Sequence, residues 1–219
     1  MIGKIRKGRS FGGCIRYVTQ KDDAEIIASE GVLLGTAEEM AQSFRWQCLL
    51  NPDVAKSVGH IALTFKPEDA PRLTDAFMAR LAGEYLELMG IRNTQFIVVR
   101  HHGTDNPHCH IVFNRVDFDG KVISDSNDFR RNEKVTKMLK DKYSLTYSEG
   151  KQAVKTEKLH ASERVKYEIY RAVKEALRSA DTWKEFQNRL LKMGVEMEFK
   201  YKGNTNEVQG IRFIKDNQS

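Results

Sequence analysis

The chain has 219 residues, 40% of them hydrophobic, 9% aromatic and 30% charged, which is enough apolar material for one large domain or a domain with a small appendage. That composition excludes collagenous, mucin-like and wholly disordered chains, and no apolar run reaches the roughly 18 residues of a membrane span. Lysine and arginine number 36 against 30 acids, and the whole excess of +6 lies in residues 1–21, which hold Lys4, Arg6, Lys7, Arg9, Arg16 and Lys21 and no acid.

A basic excess gathered in one segment, with Gly3, Gly8, Gly12 and Gly13 interleaved, suits a polyanion bound close to the backbone. A solvated basic arm accounts for the charge equally well. The N-terminus lacks the apolar stretch of a secretory signal. Cys14, Cys48 and Cys109 stand at unrelated spacings, so they form neither a disulfide framework nor a zinc box. The chain reads as cytoplasmic, with no membrane insertion.

In chain order, 36–49 opens with a Thr-x-x-Glu capping box and continues at helical spacing. Asn51-Pro52-Asp53 breaks it. Residues 58–65 alternate as a half-buried strand, with Ile61, Leu63 and Phe65 facing one way and His60, Ala62 and Thr64 the other. The stretch 67–89 reads as one helix, with Leu73, Phe77, Leu81, Tyr85 and Leu88 near one face and Gly90 at its C-terminal cap. Strands at 94–101 and 108–116, joined by the tight loop 103–107, form an antiparallel hairpin. A turn at 117–120 precedes a basic helix at 128–142. Residues 149–160 are polar and read as a linker. Helices follow at 161–179 and 182–193, then a hairpin of 195–201 and 208–214 around Gly203-Asn204. Antiparallel strands mixed with helices predict an α+β fold: a central antiparallel sheet with flanking helices.

Four of the six histidines fall within ten residues: His101, His102, His108 and His110. His108 and His110 share one strand face, because side chains repeat every second residue. The preceding strand ends in His101-His102, beside them across the hairpin. Three imidazoles from two paired strands form a facial set for one divalent metal, with the other positions open to water or a phosphate oxygen. Cys109 points to the opposite face, which argues against a structural zinc. His60 lies on the polar face of its strand, where it lines the same surface or serves as a hydrogen-bonded sheet histidine. His160 falls in the linker and carries no chemistry.

Tyr17 lies within the basic segment, in Gly12-Gly13-Cys14-Ile15-Arg16-Tyr17-Val18. A tyrosine beside a metal-bound phosphodiester can attack phosphorus and keep the energy of the broken ester in a phosphotyrosine linkage. Alone, Tyr17 is better read as a packed aromatic. The combination of GGCIRYV, the strand GHIALTF at 59–65 and HHGTDNPHCHIVFNRV at 101–116 resembles the relaxases, the mobilization nucleases of plasmids and transposons within the His-hydrophobe-His endonucleases. The tail WKEFQNRLLKMGVEMEFKYKGNTNEVQGIRF is similar to that family's too. The likeness covers nearly the whole chain and has the character of mobilization proteins from Bacteroides-like bacteria.

That resemblance implies site- and strand-specific nicking of DNA at a transfer origin, with Tyr17 joined to the 5′ phosphate. It implies His101, His108 and His110 as metal ligands, with Mg2+ or Mn2+ as cofactor and the metal site on the middle strands. The family pattern His-x-Asp has Gly103 at its acidic position here. Asp105 is a substitute, and His102 competes with His101 as third ligand. His60, His102, Asp105 and Asn114 are candidates for the shell around the ligands. Lys4, Arg6, Lys7, Arg9 and Arg16 are candidate contacts to single-stranded DNA. Arg130, Arg131, Lys134, Lys137 and Lys140 offer a second basic helix or an ordinary solvated face. The implied partners are the single strand at a transfer origin, accessory mobilization proteins and a conjugative coupling protein. Residues 1–148 are expected to form the catalytic core. Residues 149–219 are expected to pack helices and a hairpin on that core, in a chain that is either whole or truncated from a longer protein. Two alternatives remain: a rolling-circle replication initiator, and a non-catalytic DNA-binding module with a structural metal.

Overall fold

The computed structural model describes residues 1–147 and 161–216. The chain divides into two compact units, Met1–Ser148 and Glu149–Ser219. The stretch expected as a linker, residues 149–160 with His160, lies outside the described residues.

The first unit is built on five antiparallel strands: β1 (Ile2–Gly8), β2 (Ala24–Glu30), β3 (Val58–Thr64), β4 (Phe96–His101) and β5 (His108–Asn114). Their spatial order is β1-β3-β5-β4-β2, so β5 is central. Helices α1 (Phe11–Thr19), α2 (Ala37–Cys48), α3 (Asp75–Leu88) and α4 (Asp128–Tyr143) complete the unit. The α+β class read from the sequence is the class observed.

The sheet is covered on both sides, and strands β2 to β5 divide their side chains between two cores, while β1 gives Ile5 to one of them. On one side Ile15 and Val18 of α1 and Met40 and Phe44 of α2 pack on Val58, Ile97, Val99 and Val112. Phe11 and Phe44 stack there with ring centroids 4.6 Å apart. On the other side Met78, Leu81 and Tyr85 of α3 and Val135 and Leu139 of α4 pack on Ile61, Leu63, Cys109 and Ile111. Each fully buried side chain of this size contributes about 1.5–3 kcal/mol. The double cover explains why β5 is buried at all but its first residue.

Several elements differ from expectation. The segment 67–89 is not one helix. A 3-10 turn over Pro67–Arg72 ends first, and α3 starts afresh behind Thr74, whose hydroxyl caps Phe77 N–H at 3.2 Å. Pro71 cannot continue an α-helical ladder. The buried stripe of α3 runs through Met78, Leu81, Ala82 and Tyr85, while Leu88 is exposed. Gly90 does close α3, at φ +71°, with Ile91 N–H returning to Leu86 carbonyl at 2.9 Å. The capping box of α2 forms as expected, with Thr36 and Glu39 bonding each other's main chain.

The N-terminal 21 residues are not an arm. They supply the edge strand β1 and helix α1, which has two glycines in its first turn and therefore low intrinsic helix propensity. Ser10 caps it by accepting Gly13 N–H at 3.2 Å, and burial of Phe11, Ile15 and Val18 holds it down. Strand β2 carries one extra residue between Ile26 and Ala28, a bulge that blurs its alternation.

In the second unit α5 (Ala161–Ser179) and α6 (Trp183–Lys192) precede the hairpin of β6 (Glu196–Tyr201) and β7 (Val208–Ile214). Ile169, Ala172 and Ala176 pack on Phe186, Leu190, Val195 and Met197. Thr182 caps α6 through Glu185 N–H at 3.2 Å.

Candidate metal centre and nucleic-acid cleft

The register of the middle strands brings the histidines together. His101 pairs directly with His108 across β4 and β5, and His110 lies two residues further along the same face, opposite Val99. The three rings lie 4.7–5.1 Å apart by their centroids, and one nitrogen from each falls within 4.8 Å of the others.

Hydrogen bonds turn the outer nitrogens away from the centre. His101 Nε2–H donates to the Val18 carbonyl at 2.8 Å. That carbonyl is one of the orphan acceptors of the last turn of α1, so a helix end fixes the ring. His108 Nδ1–H is shared between Asn106 carbonyl and Thr104 Oγ1, each at 3.1 Å. His110 Nδ1 lies 3.0 Å from His60 Nε2. With these outer bonds made, His101 Nδ1 and His108 Nε2 face each other at 3.1 Å, and His110 is left with Nε2 as its free nitrogen. Outer N–H groups held by carbonyls or a neighbouring ring are what orient metal-binding imidazoles.

Burial disfavours the charged form of His110, His108 and His60. It pushes His110 down to about 3, helped by the neighbouring imidazoles of His60, His101 and His108. His108 is lowered by burial first, and His60 by burial and then by Arg6. Neutral imidazoles with lone pairs converging on one point fit a divalent cation. The negative end of the α1 dipole beside them favours a cation further.

Tyr17 stands on the last turn of α1, 61% exposed. Its ring centroid is 5.7 Å from His110 and 6.0 Å from His60. It shares a cleft of about 370 Å³ with Lys4, Arg6, His60 and His110. Cys14 also lines that cleft, but burial pushes its thiol up to about 11, which leaves it a poor nucleophile. A second groove of about 530 Å³ runs on the other side of α1, towards α2, and holds Arg9, Arg16 and Arg45. Glu38 offsets part of its charge, bonding Arg45 at 2.5 Å and approaching Arg16 at 3.9 Å.

The remaining expected residues fall elsewhere. His102 turns to the opposite face and meets Glu25 at 2.9 Å. Lys7 also lies on that face, held by Asp128 at 2.7 Å and Asp125 at 2.8 Å. Burial works against its charge, but the two carboxylates hold its pKa above the ordinary value. Asp105 is exposed in the loop, so His101 takes its orientation from a main-chain carbonyl rather than from that carboxylate. Asn114 is fully buried away from the rings. It donates to Phe44 carbonyl at 3.0 Å and accepts Val116 N–H at 3.0 Å, fastening the end of β5 to α2. The basic helix α4 covers the far face, against α3 and β1. Arg45 and the Val18 carbonyl were not anticipated. Arg45 sits in an ordinary amphipathic helix, and a carbonyl leaves no mark in a sequence.

Among the described residues no helix is long and apolar enough to cross a membrane. No curated protein matches the chain. The family model for the relaxase nuclease domain of the MobA/VirD2-like type matches residues 17–145, from Tyr17 through both histidine strands to the end of the first unit. With more than half of its length matched, the chain belongs to the MobA/VirD2-like relaxases, strand-nicking DNA endonucleases of mobilization.

Proposed function

We propose that this relaxase nicks one strand at a transfer origin by transesterification at Tyr17. The Tyr17 hydroxyl oxygen forms a bond to the scissile phosphorus as the bond to the 3′ oxygen breaks. The phenolic proton is given up, and the 3′ oxygen leaves as a hydroxyl. The 5′ phosphate stays on the tyrosine, so the strand can later be rejoined. The observation that carries this reading is the position of Tyr17: exposed, on the rim of a basic cleft, with its ring 5.7 Å from a histidine of the cation site.

His101, His108 and His110 would hold the ion. When bound, it polarises the phosphodiester oxygens and offsets charge in the transition state. An all-nitrogen donor set favours a transition ion such as Mn2+ over Mg2+, which prefers oxygen. His60 orients His110 through the bond between their nitrogens. Lys4 and Arg6 neutralise phosphates in the cleft, while Arg9, Arg16 and Arg45 take the strand on the other side of α1. Lys7, Asp105 and Asn114 drop out of the site, and His102 acts on the opposite face. Accessory mobilization proteins and a conjugative coupling protein are the proposed partners.

The test is incubation of the full chain with a labelled single strand carrying the cognate origin and Mn2+. A covalent protein–DNA band that survives denaturation supports the reading. Cleavage without an adduct would assign the attack to water instead.

A further inference from the structure

Asp23 sits on the turn between α1 and β2, where the chain leaves Tyr17 for the edge of the sheet. Its Oδ2 accepts Gly103 N–H at 2.5 Å, and its backbone carbonyl accepts His102 N–H at 3.1 Å. Two bonds therefore hold this turn against the stretch that directly follows His101 and leads to His108. Position 103 has no side chain, and the carboxylate occupies the space one would fill. A Cβ on Gly103 would come within 2.6 Å of Asp23 Oδ2 and 3.4 Å of its Cγ. Gly103 is not in the left-handed region, so its lack of a side chain serves this approach and not a turn that needs positive φ.

Asp23 also brings a carboxylate to this turn. That carboxylate is bonded to Gly103 N–H, two residues along the chain from His101. Of the other acids near the hairpin, Glu25 pairs with His102 and Asp75 with Arg100 on the far face, and Asp105 lies exposed in the loop. Three neutral imidazoles bring a divalent ion no counter-charge of their own, and an ion taken out of water into a half-buried pocket gains from a nearby anion.

We propose that Asp23 is a positioning residue of the three-histidine centre, setting the loop between His101 and His108 through Gly103 and supplying the negative charge that the ligands lack. The proposal rests on the reading of those histidines as a cation site. Its mechanism is electrostatic and orienting; Asp23 touches neither substrate nor reacting atoms.

The experiment is calorimetric titration of the DNA-free full chain with Mn2+, alongside its melting temperature without metal. Asp23→Asn keeps an acceptor for Gly103 N–H at the same size and removes only the charge. Its Mn2+ affinity should fall roughly tenfold, the lower end of what outer-shell losses cost, with the metal-free melting temperature unchanged. Asp23→Ala should lose both charge and bond and bind more weakly still. The double variant Asp23→Ala with Gly103→Asp returns a carboxylate to the same space from the other strand of chain and should recover affinity over Asp23→Ala. Wild-type affinity in Asp23→Asn, with affinity lost in His101→Ala, overturns the role of Asp23 and leaves the histidine site standing. Wild-type affinity in His101→Ala overturns both.

Discussion

Tyr17 rides on backbone that the core holds through its neighbours Ile15 and Val18, both fully buried. Its own ring is mostly in solvent, so removing the hydroxyl leaves packing intact. Tyr17→Phe should keep the wild-type melting temperature and its affinity for single strands while giving no covalent adduct on a denaturing gel. The other tyrosines of the first unit, Tyr85, Tyr143 and Tyr147, are less suited to replace it. Tyr85 is buried and bonded to Asn132 at 2.7 Å, with its pKa pushed up by burial. Tyr143 is bonded to Glu84, and Tyr147 to Asp141. The pair His101 and His102 separates along the same lines. The first points into the centre, and the second towards Glu25 on the other face. His101→Ala should weaken Mn2+ binding by at least the roughly 10–100-fold that loss of an outer-shell partner costs. His102→Ala should bind Mn2+ as wild type does, and calorimetry on the two variants decides it.

Elements hold the site because their ends are fastened. The capping box of α2 fixes the helix that Phe11 and Ile15 pack against, and Thr36→Ala should lower stability by about 1 kcal/mol in urea unfolding. Helices α3 and α4 are tied across the far face by Glu84, which accepts from Lys142 at 2.5 Å and Tyr143 at 2.6 Å. Those two bonds hold its carboxyl below the usual range. A depressed carboxylate stabilises the fold above its unfolded value, and the contribution fades as pH falls through the lower folded one. Wild type should therefore lose stability to Glu84→Gln at neutral pH, by under about 1 kcal/mol for a pair so open to solvent. The difference should vanish in acid, as read from unfolding midpoints between neutrality and the acid limb. A gap that stays constant with pH would put the effect down to packing.

At the scale of the whole first unit, the sheet divides the basic residues into two populations. Lys4 and Arg6 line the cleft, whereas Lys7, next in sequence, is committed to Asp125 and Asp128 across the sheet. Arg6→Ala should reduce the slope of log affinity for single strands against log salt by about 0.7. Lys7→Ala should leave that slope unchanged and instead lower the melting temperature, because Asp128 is buried and loses its partner. A reduced slope for Lys7→Ala would mean that the far face also meets DNA.

How much of this was legible in the residues follows from the range of the interactions. Hairpins, caps and strand faces are set by neighbours a few positions apart, so the hairpin that sets the strand end His101-His102 beside His108 and His110 and the capping box at Thr36 could be read directly, whereas the register that pairs His101 with His108 came from the fold. The N-terminal strand and α1 could not. Their signal is weakened by two early glycines in α1 and by an inward lysine in β1 whose partners lie more than a hundred residues away. The break at Thr74 was hidden because apolar spacing runs on across it. The sequence by itself determined the fold class, the histidine hairpin and the family. Only the tertiary structure decided which charges face the cleft, that Val18 orients His101, and that Asp23 fills the space beside Gly103, because each of these joins segments that only the folded sheet brings together.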